Sequence, residues 1–307
     1  MSPMALILVS WAAFPPRQPA IPSELARTNQ TGTDPIRLTE GTSIDLVPKW
    51  SPDSRQISYR SQNGDDVQIR IVPVEGGAYR VLDVGMSGAD LHTSWSPDGA
   101  EIAFDEGTIW LVGASGGEPR RIYDGAGGAA HPCWSPTGGR LAFASHRSGS
   151  MDIWILTVAD GTLLRLTSGE GSNFHPSWSP DGSRVAFASD RAGSWDIWTI
   201  PSLGGEAMQV TASDFRDDVP SWSPDSRLIV FMRGETERNL MVVSASGGTV
   251  EALTEGPEDD GYPAWSPDGR WIAFHSNRSG SYDIWLLRTE SLNGIVERIG
   301  GHFDKEP

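Results

Sequence analysis

The sequence predicts an all-β fold, a six-bladed β-propeller of four-stranded antiparallel blades, and three observations predict it. The tripeptide Trp-Ser-Pro occurs six times, starting at Trp50, Trp95, Trp134, Trp178, Trp222 and Trp265. The copies lie 39 to 45 residues apart, the period of a propeller blade rather than of a helical solenoid. An aromatic follows each motif tryptophan at a fixed distance: Tyr59, Phe104, Phe143, Phe187, Phe231 and Phe274. Constant spacing demands a turn of one length. Pro-Asp-Gly or Pro-Asp-Ser supplies it in most units, proline presetting φ and the carboxylate capping local amides.

The elements follow in order. Before the first motif, Pro35 to Thr39 reads as an outer strand without its blade. Each unit then offers strand-length apolar runs, such as Val185-Ala186-Phe187 and Ile197-Trp198-Thr199-Ile200. A second turn is marked by Gly76-Gly77, Gly116-Gly117, Asp160-Gly161, Gly204-Gly205, Gly247-Gly248 and Asn293-Gly294, residues that tolerate the positive φ of tight hairpins. Outer strands such as Leu163 to Thr167 and Val250 to Thr254 complete the blades, and Ile295 to Ile299 reads as the last of them. Seven outer strands then compete for six places. The expected closure has the N-terminal strand completing the C-terminal blade, which clasps the ring and removes an open edge.

Length and composition bound the rest. A tail at residues 1–33 precedes one propeller domain at 34–307, a comfortable size for a single ring. Ten of the thirteen tryptophans occupy repeat positions, the six motif residues plus Trp110, Trp154, Trp198 and Trp285, which marks them as core rather than as a ligand platform. The net charge of −16, with Lys49 and Lys305 the only lysines, argues against nucleic acid and against insertion of the propeller into anionic membranes. Cys133 is the only cysteine, so no internal disulfide forms, and it reads as a packed small residue. Met4 to Phe14 is apolar, long enough for a signal h-region and too short to span a bilayer. It reads as a clipped signal or the remnant of a membrane anchor, and favours an extracytoplasmic, periplasmic location. Asn29-Gln30-Thr31 is a glycosylation sequon, which carries no weight if the source is bacterial.

The unit Pro-x-Trp-Ser-Pro-Asp-Gly-x-x-Ile-Ala-Phe-x-Ser-x-Arg-x-Gly-x-x-Asp-Ile-Trp, seen most completely from Pro132 to Trp154, Pro176 to Trp198 and Pro263 to Trp285, resembles the repeat of TolB-like propellers. The resemblance runs from about Ile36 to Ile299. It implies a bacterial, periplasmic propeller, and residues 1–33 cannot hold the additional N-terminal domain of TolB. Three blades depart from the pattern. Blade two lacks the Ser-x-Arg-x-Gly segment at Phe104-Asp105-Glu106-Gly107 and has Thr93 in place of proline; blade five reads Phe231-Met232-Arg233-Gly234; blade one has Val67-Gln68-Ile69 for Asp-Ile-Trp.

Four candidate chemistries stand out. His92, His131 and His175 occupy one repeat position in successive blades, with Val47, Val219 and Tyr262 as their equivalents elsewhere. First strands line a propeller channel, so three imidazoles could bind a transition metal or shuttle a proton; the competing reading is three tolerated residues facing the next blade. Two positions earlier lie Asp45, Asp90, Asp217 and Asp260, with Ala129 and Asn173 in the remaining blades. Residues two apart on a strand share a face, so these carboxylates are expected above the histidines at a channel mouth, attracting Ca²⁺ or a basic peptide, unless each pairs locally. Arg147/Asp152, Arg191/Asp196 and Arg278/Asp283 are expected to meet across a hairpin, and their repetition marks them as structural. Gly113-Ala114-Ser115-Gly116-Gly117 matches a nucleophile elbow in letters only, since no helix follows it.

The function expected is therefore non-catalytic: a monomeric propeller of the bacterial cell envelope that binds a protein or peptide partner through its channel mouth or loop face. The alternative is a metal-assisted lyase or hydrolase on a polysaccharide or lactone, since related propeller lyases use channel histidines. Under it, Mn²⁺, Zn²⁺ or Ca²⁺ is the implied cofactor; under the first, none.

Overall fold

The computed structural model describes residues 34–85, 91–169 and 171–299; the N-terminal tail and Asp90 lie outside them. Six four-stranded antiparallel sheets are arranged as the blades of a ring. Their innermost strands are Ile44–Trp50, Thr93–Trp95, Ala130–Trp134, Asn173–Trp178, Asp217–Trp222 and Gly261–Trp265. In five blades the strands follow chain order outward. In the sixth, the outermost place is taken by Ile36–Arg37, which pairs with Asp283–Arg288. The N-terminal clasp is thus the closure used, and Arg37 locks it with a 2.7 Å ion pair to the buried Asp283.

The seventh outer strand is not a strand. Residues Thr289–Leu292 form a 3₁₀ turn and Asn293–Arg298 a short α-helix, so Asn293-Gly294 makes no hairpin. With the sheet edge already occupied, this segment has no partner backbone and satisfies its hydrogen bonds locally. Leu292, Ile295 and Ile299 pack on the core between blades five and six, and Arg298 reaches Glu251 at 2.9 Å.

The hydrophobic core is not central. It is divided into six clusters, one in each blade-to-blade interface. The spaced aromatics sit in them, and Phe104, Phe143, Phe187, Phe231 and Phe274 are wholly buried. Motif tryptophans tie neighbouring blades by polar contacts as well: the indole N–H groups of Trp50 and Trp222 donate to the carbonyls of Ala264 and Ser177 in the preceding blades. Trp50, Trp178, Trp222 and Trp265 are buried, while Trp95 and Trp134 are half-buried.

Arginine and aspartate of the Ser-x-Arg-x-Gly-x-x-Asp segment do not pair with each other. The aspartate turns outward to the fourth strand: Asp152 accepts from Arg165, and Asp196 from Gln209. Arg191 and Arg278 turn inward, stack on Phe187 and Phe274, and bond Asn173 and Asp260 at the head of their own blade. Stacking against the ring holds the guanidinium flat along the sheet, which carries it away from the hairpin.

Candidate functional site

The channel is lined by the first strands, and in five of the six blades one local feature accompanies the side chain that enters it. Val47, His131, His175, Val219 and Tyr262 all have φ between 49° and 57°. This left-handed conformation is costly for any residue with a Cβ, and most unusual for valine. Each sits before the conserved proline, where the strand pairing slips: the register shifts between Ala130 and Cys133, between Phe174 and Ser177, and likewise in three other blades. The bulge rotates the strained residue out of alternation and toward the channel. In blade two, where Thr93 replaces proline, the pairing runs without a shift and His92 is not in the left-handed region.

The bulge also defeats the two-residue spacing that placed the aspartates beside the histidines. Asp45, Asp217 and Asp260 are buried and engaged, not gathered at a mouth. Asp45 accepts from Ser61 Oγ at 2.6 Å; Asp217 is held by Arg233 at 2.6 and 2.8 Å; Asp260 receives two bonds of 2.8 Å from Arg278. Asn173 takes the same place opposite Arg191. Burial pushes the Asp217 carboxyl upward in spite of its arginine. Where the blade offers Ala129, Arg147 finds only the Tyr123 hydroxyl, at 3.5 Å. Among the described residues, these side chains organise the blades and are engaged within their own blade rather than set out for a cation.

The histidines do converge. Ring centroids of His92 and His131 are 4.3 Å apart, and those of His131 and His175 are 4.0 Å apart. One nitrogen from each of the three falls within 4.8 Å of the others. Two carboxylates that the sequence reading passed over organise them. Asp218 accepts from His175 Nδ1 at 2.7 Å, leaving Nε2 directed at the cluster, where the Tyr262 hydroxyl lies 3.4 Å away. Arg216 binds the other oxygen of Asp218, and together the imidazole and the guanidinium offset its burial and hold it down to about 2. Asp105 accepts the backbone N–H groups of both His92 and His131, at 2.7 and 2.8 Å, and lies 3.3 Å from His92 Nδ1. The signal for Asp105 was present in the departure of blade two from the repeat.

Electrostatics favours neutral imidazole at the centre. Burial, then the neighbouring His175 and His92, and finally Lys49, hold His131 well below its ordinary value. Lys49 and Cys133 line the same cavity one step deeper. Burial lowers the Lys49 ammonium and raises the Cys133 thiol, so both lean toward their uncharged forms. Imidazole nitrogens, one of the rings backed by a carboxylate, are what a borderline metal ion takes. Bonds of 2.0–2.1 Å to one ion set tetrahedral donors roughly 3.4 Å apart, a separation compatible with three nitrogens that all lie within 4.8 Å of one another. Ca²⁺ fits poorly, because it needs several oxygen ligands and the nearby carboxylates are committed.

Residues 93–239 match the family described as the TolB beta propeller domain. No curated protein matches the chain. Among solved structures, putative TolB from Agrobacterium tumefaciens is 25% identical, with a TM-score of 0.68 over 82% of this chain and 92% of that one. TolB from Acinetobacter baumannii is 23% identical, TM-score 0.64, over 75% of this chain and 59% of that one. An oligogalacturonate lyase in complex with manganese shares the fold at 17% identity, TM-score 0.54, over 82% of this chain and 78% of that one.

Proposed function

We propose that this chain, whose residues 93–239 belong to the TolB β-propeller domain family, is a binding propeller whose working surface is the histidine mouth of the channel, and that His92, His131 and His175 hold a divalent transition metal there. The observation that carries this reading is the convergence of three imidazoles from three blades, one of them hydrogen-bonded to a buried aspartate. Zn²⁺ and Mn²⁺ are the ions to test. Such a metal supplies a Lewis acid or an activated water, the chemistry a lyase or hydrolase uses on a polysaccharide or lactone. In this chain Asp218 fixes the ring of His175, Asp105 anchors the backbone under His92 and His131, and burial keeps His131 unprotonated.

The test is metal analysis of purified protein after loading with Mn²⁺ or Zn²⁺ and gel filtration. About one equivalent is expected in the wild type and none in His131→Ala. Metal absent from the wild type, or retained by the variant, sinks the reading.

A second reading, a protein or peptide partner in the bacterial cell envelope, draws on the similarity to TolB structures and on Phe215. That side chain is 61% exposed in the loop entering blade five, on the face where the histidine mouth opens. No described helix is long and apolar enough to cross a membrane. Cross-linking from Phe215→Cys in an envelope extract should capture a partner that a cysteine at Leu203, on the opposite face, does not; equal capture from both would remove this reading.

A further inference from the structure

Beside the histidine cluster, on the side of blades six, one and two, the mouth widens into a cavity of about 280 Å³. Two of its polar groups, Arg60 and His275, come from one repeat position, the residue after the buried aromatic. That position holds Ala144 and Ala188 in blades three and four, but His275, Arg60 and Asp105 in three consecutive blades. His275 is 2% exposed, lines the cavity, and has a hydrogen-bond partner on neither ring nitrogen. Arg60 also lines it, with a buried and unpartnered Nε, and takes part in none of the ion pairs among the described residues. Among the described residues its side chain donates one hydrogen bond, from Nη2 to Gln62 Oε1 at 2.7 Å.

The second arginine in the wall is spoken for. Arg238 binds Asp259 through Nε and Nη2, and Tyr282 donates its hydroxyl to the same carboxylate at 2.5 Å. That cluster is internally neutral and leaves Arg60 as the uncompensated charge. Position 261 is glycine, and a Cβ there would stand 2.6 Å from His275 Nε2 and displace the imidazole. Leu46 and Leu91 give the cavity an apolar wall.

We propose that this cavity is a binding pocket for a small organic carboxylate, with the anion on Arg60, a polar group on His275 and an apolar or ring portion against the leucines. An unpaired buried guanidinium donor and an unpaired buried imidazole are each costly without a ligand, and a carboxylate group with a second polar substituent satisfies both. The pocket shares His92 and Tyr262 with the cluster, but none of the groups that would hold the anion is a metal donor. It therefore stands whether or not a metal is bound.

The experiment is calorimetric titration of chelator-treated protein with benzoate and with its neutral isostere benzamide. Benzoate should bind with one-to-one stoichiometry and benzamide at least about tenfold more weakly, as expected for a charged hydrogen bond lost. Arg60→Gln should remove that preference, His275→Leu should weaken benzoate, and Arg298→Gln on the outer rim should change neither. Absence of saturable benzoate binding, equal affinity for the two probes, or an undiminished preference in Arg60→Gln overturns the proposal. If Arg60→Gln does not fold, the ratio on the wild type decides alone. Binding of benzoate only after metal is restored would assign the anion to the metal and overturn the pocket.

Discussion

The two mouths of the channel are cut from the same six strands, yet only one of them keeps the symmetry of the repeat. At the motif mouth, the six tryptophans and their prolines line a vestibule of about 350 Å³. The turn glycines Gly99, Gly138, Gly182 and Gly269 each face the proline of the preceding blade. Where serine replaces glycine, at Ser54 and Ser226, the backbone remains left-handed, and each hydroxyl accepts an N–H from the blade before, from Asp268 and Asp181. At the histidine mouth the equivalent positions diverge: three histidines, two valines and a tyrosine in one ring, and alanine, methionine, arginine, aspartate and histidine in the next. Regular packing supplies stability, and recognition chemistry is assembled where the copies differ.

This contrast can be broken from either side. The largest effect should come from the motif mouth: Trp178→Ala removes a buried aromatic from the interface of blades three and four and should cost about 3–5 kcal/mol. Denaturant unfolding measures it, and a loss below about 1 kcal/mol would mean the tryptophan does not serve as core. Next comes Asp218→Asn at the other mouth, which should weaken metal binding by about 10–100-fold while the fold persists, because it unfixes the His175 ring. Unchanged metal affinity would separate Asp218 from the site.

Acid should reveal the histidine mouth as the weaker end. Burial, reinforced by Arg238, lowers His275 to about 3 from an unfolded value of 6.5. Between those pH values the unfolded chain binds the proton and the folded chain does not, so stability falls as pH falls. This histidine alone contributes a slope of up to about 1.4 kcal/mol per pH unit. Unfolding of His275→Leu, followed from neutral pH downward, should show a correspondingly flatter decline; an identical slope would mean His275 is protonated in the fold. The smallest effect is expected from Ser226→Gly. It exchanges a hydrogen bond to Asp181 for relief of a positive φ, and should move stability by less than about 0.5 kcal/mol.

How much of this could be read from the chain follows the same division. Features set by repetition were legible: six blades, buried aromatics nine residues after each motif tryptophan, and histidines drawn into one ring. The clasp was legible too, because Ile36 and Arg37 have no blade of their own. What failed were inferences that needed backbone geometry. The aspartates left the mouth because a left-handed residue before proline breaks the alternation that strand spacing assumes. Arg191 and Arg278 left Asp196 and Asp283 because an aromatic ring beside each guanidinium offered a better surface. Ile295 to Ile299 had the composition of a strand but no free edge. Asp105, Asp218 and His275 were visible only as irregularities, and each became informative when its blade was compared position by position with blades three and four.

The clasp has a consequence for how the molecule is made. Arg37 and Asp283 are 246 positions apart, so the strand at Ile36–Arg37 waits for some 246 further residues to leave the ribosome before it can pair. Until then the sixth blade lacks its outer strand and the first cannot be pressed against it. Such a distant pairing delays completion of the ring and leaves an unpaired edge exposed during synthesis. Chains interrupted before residue 283 should accumulate as open arcs able to capture another molecule's Ile36–Arg37 strand. In vivo, the number of complete rings would then depend on how reliably synthesis passes Arg288.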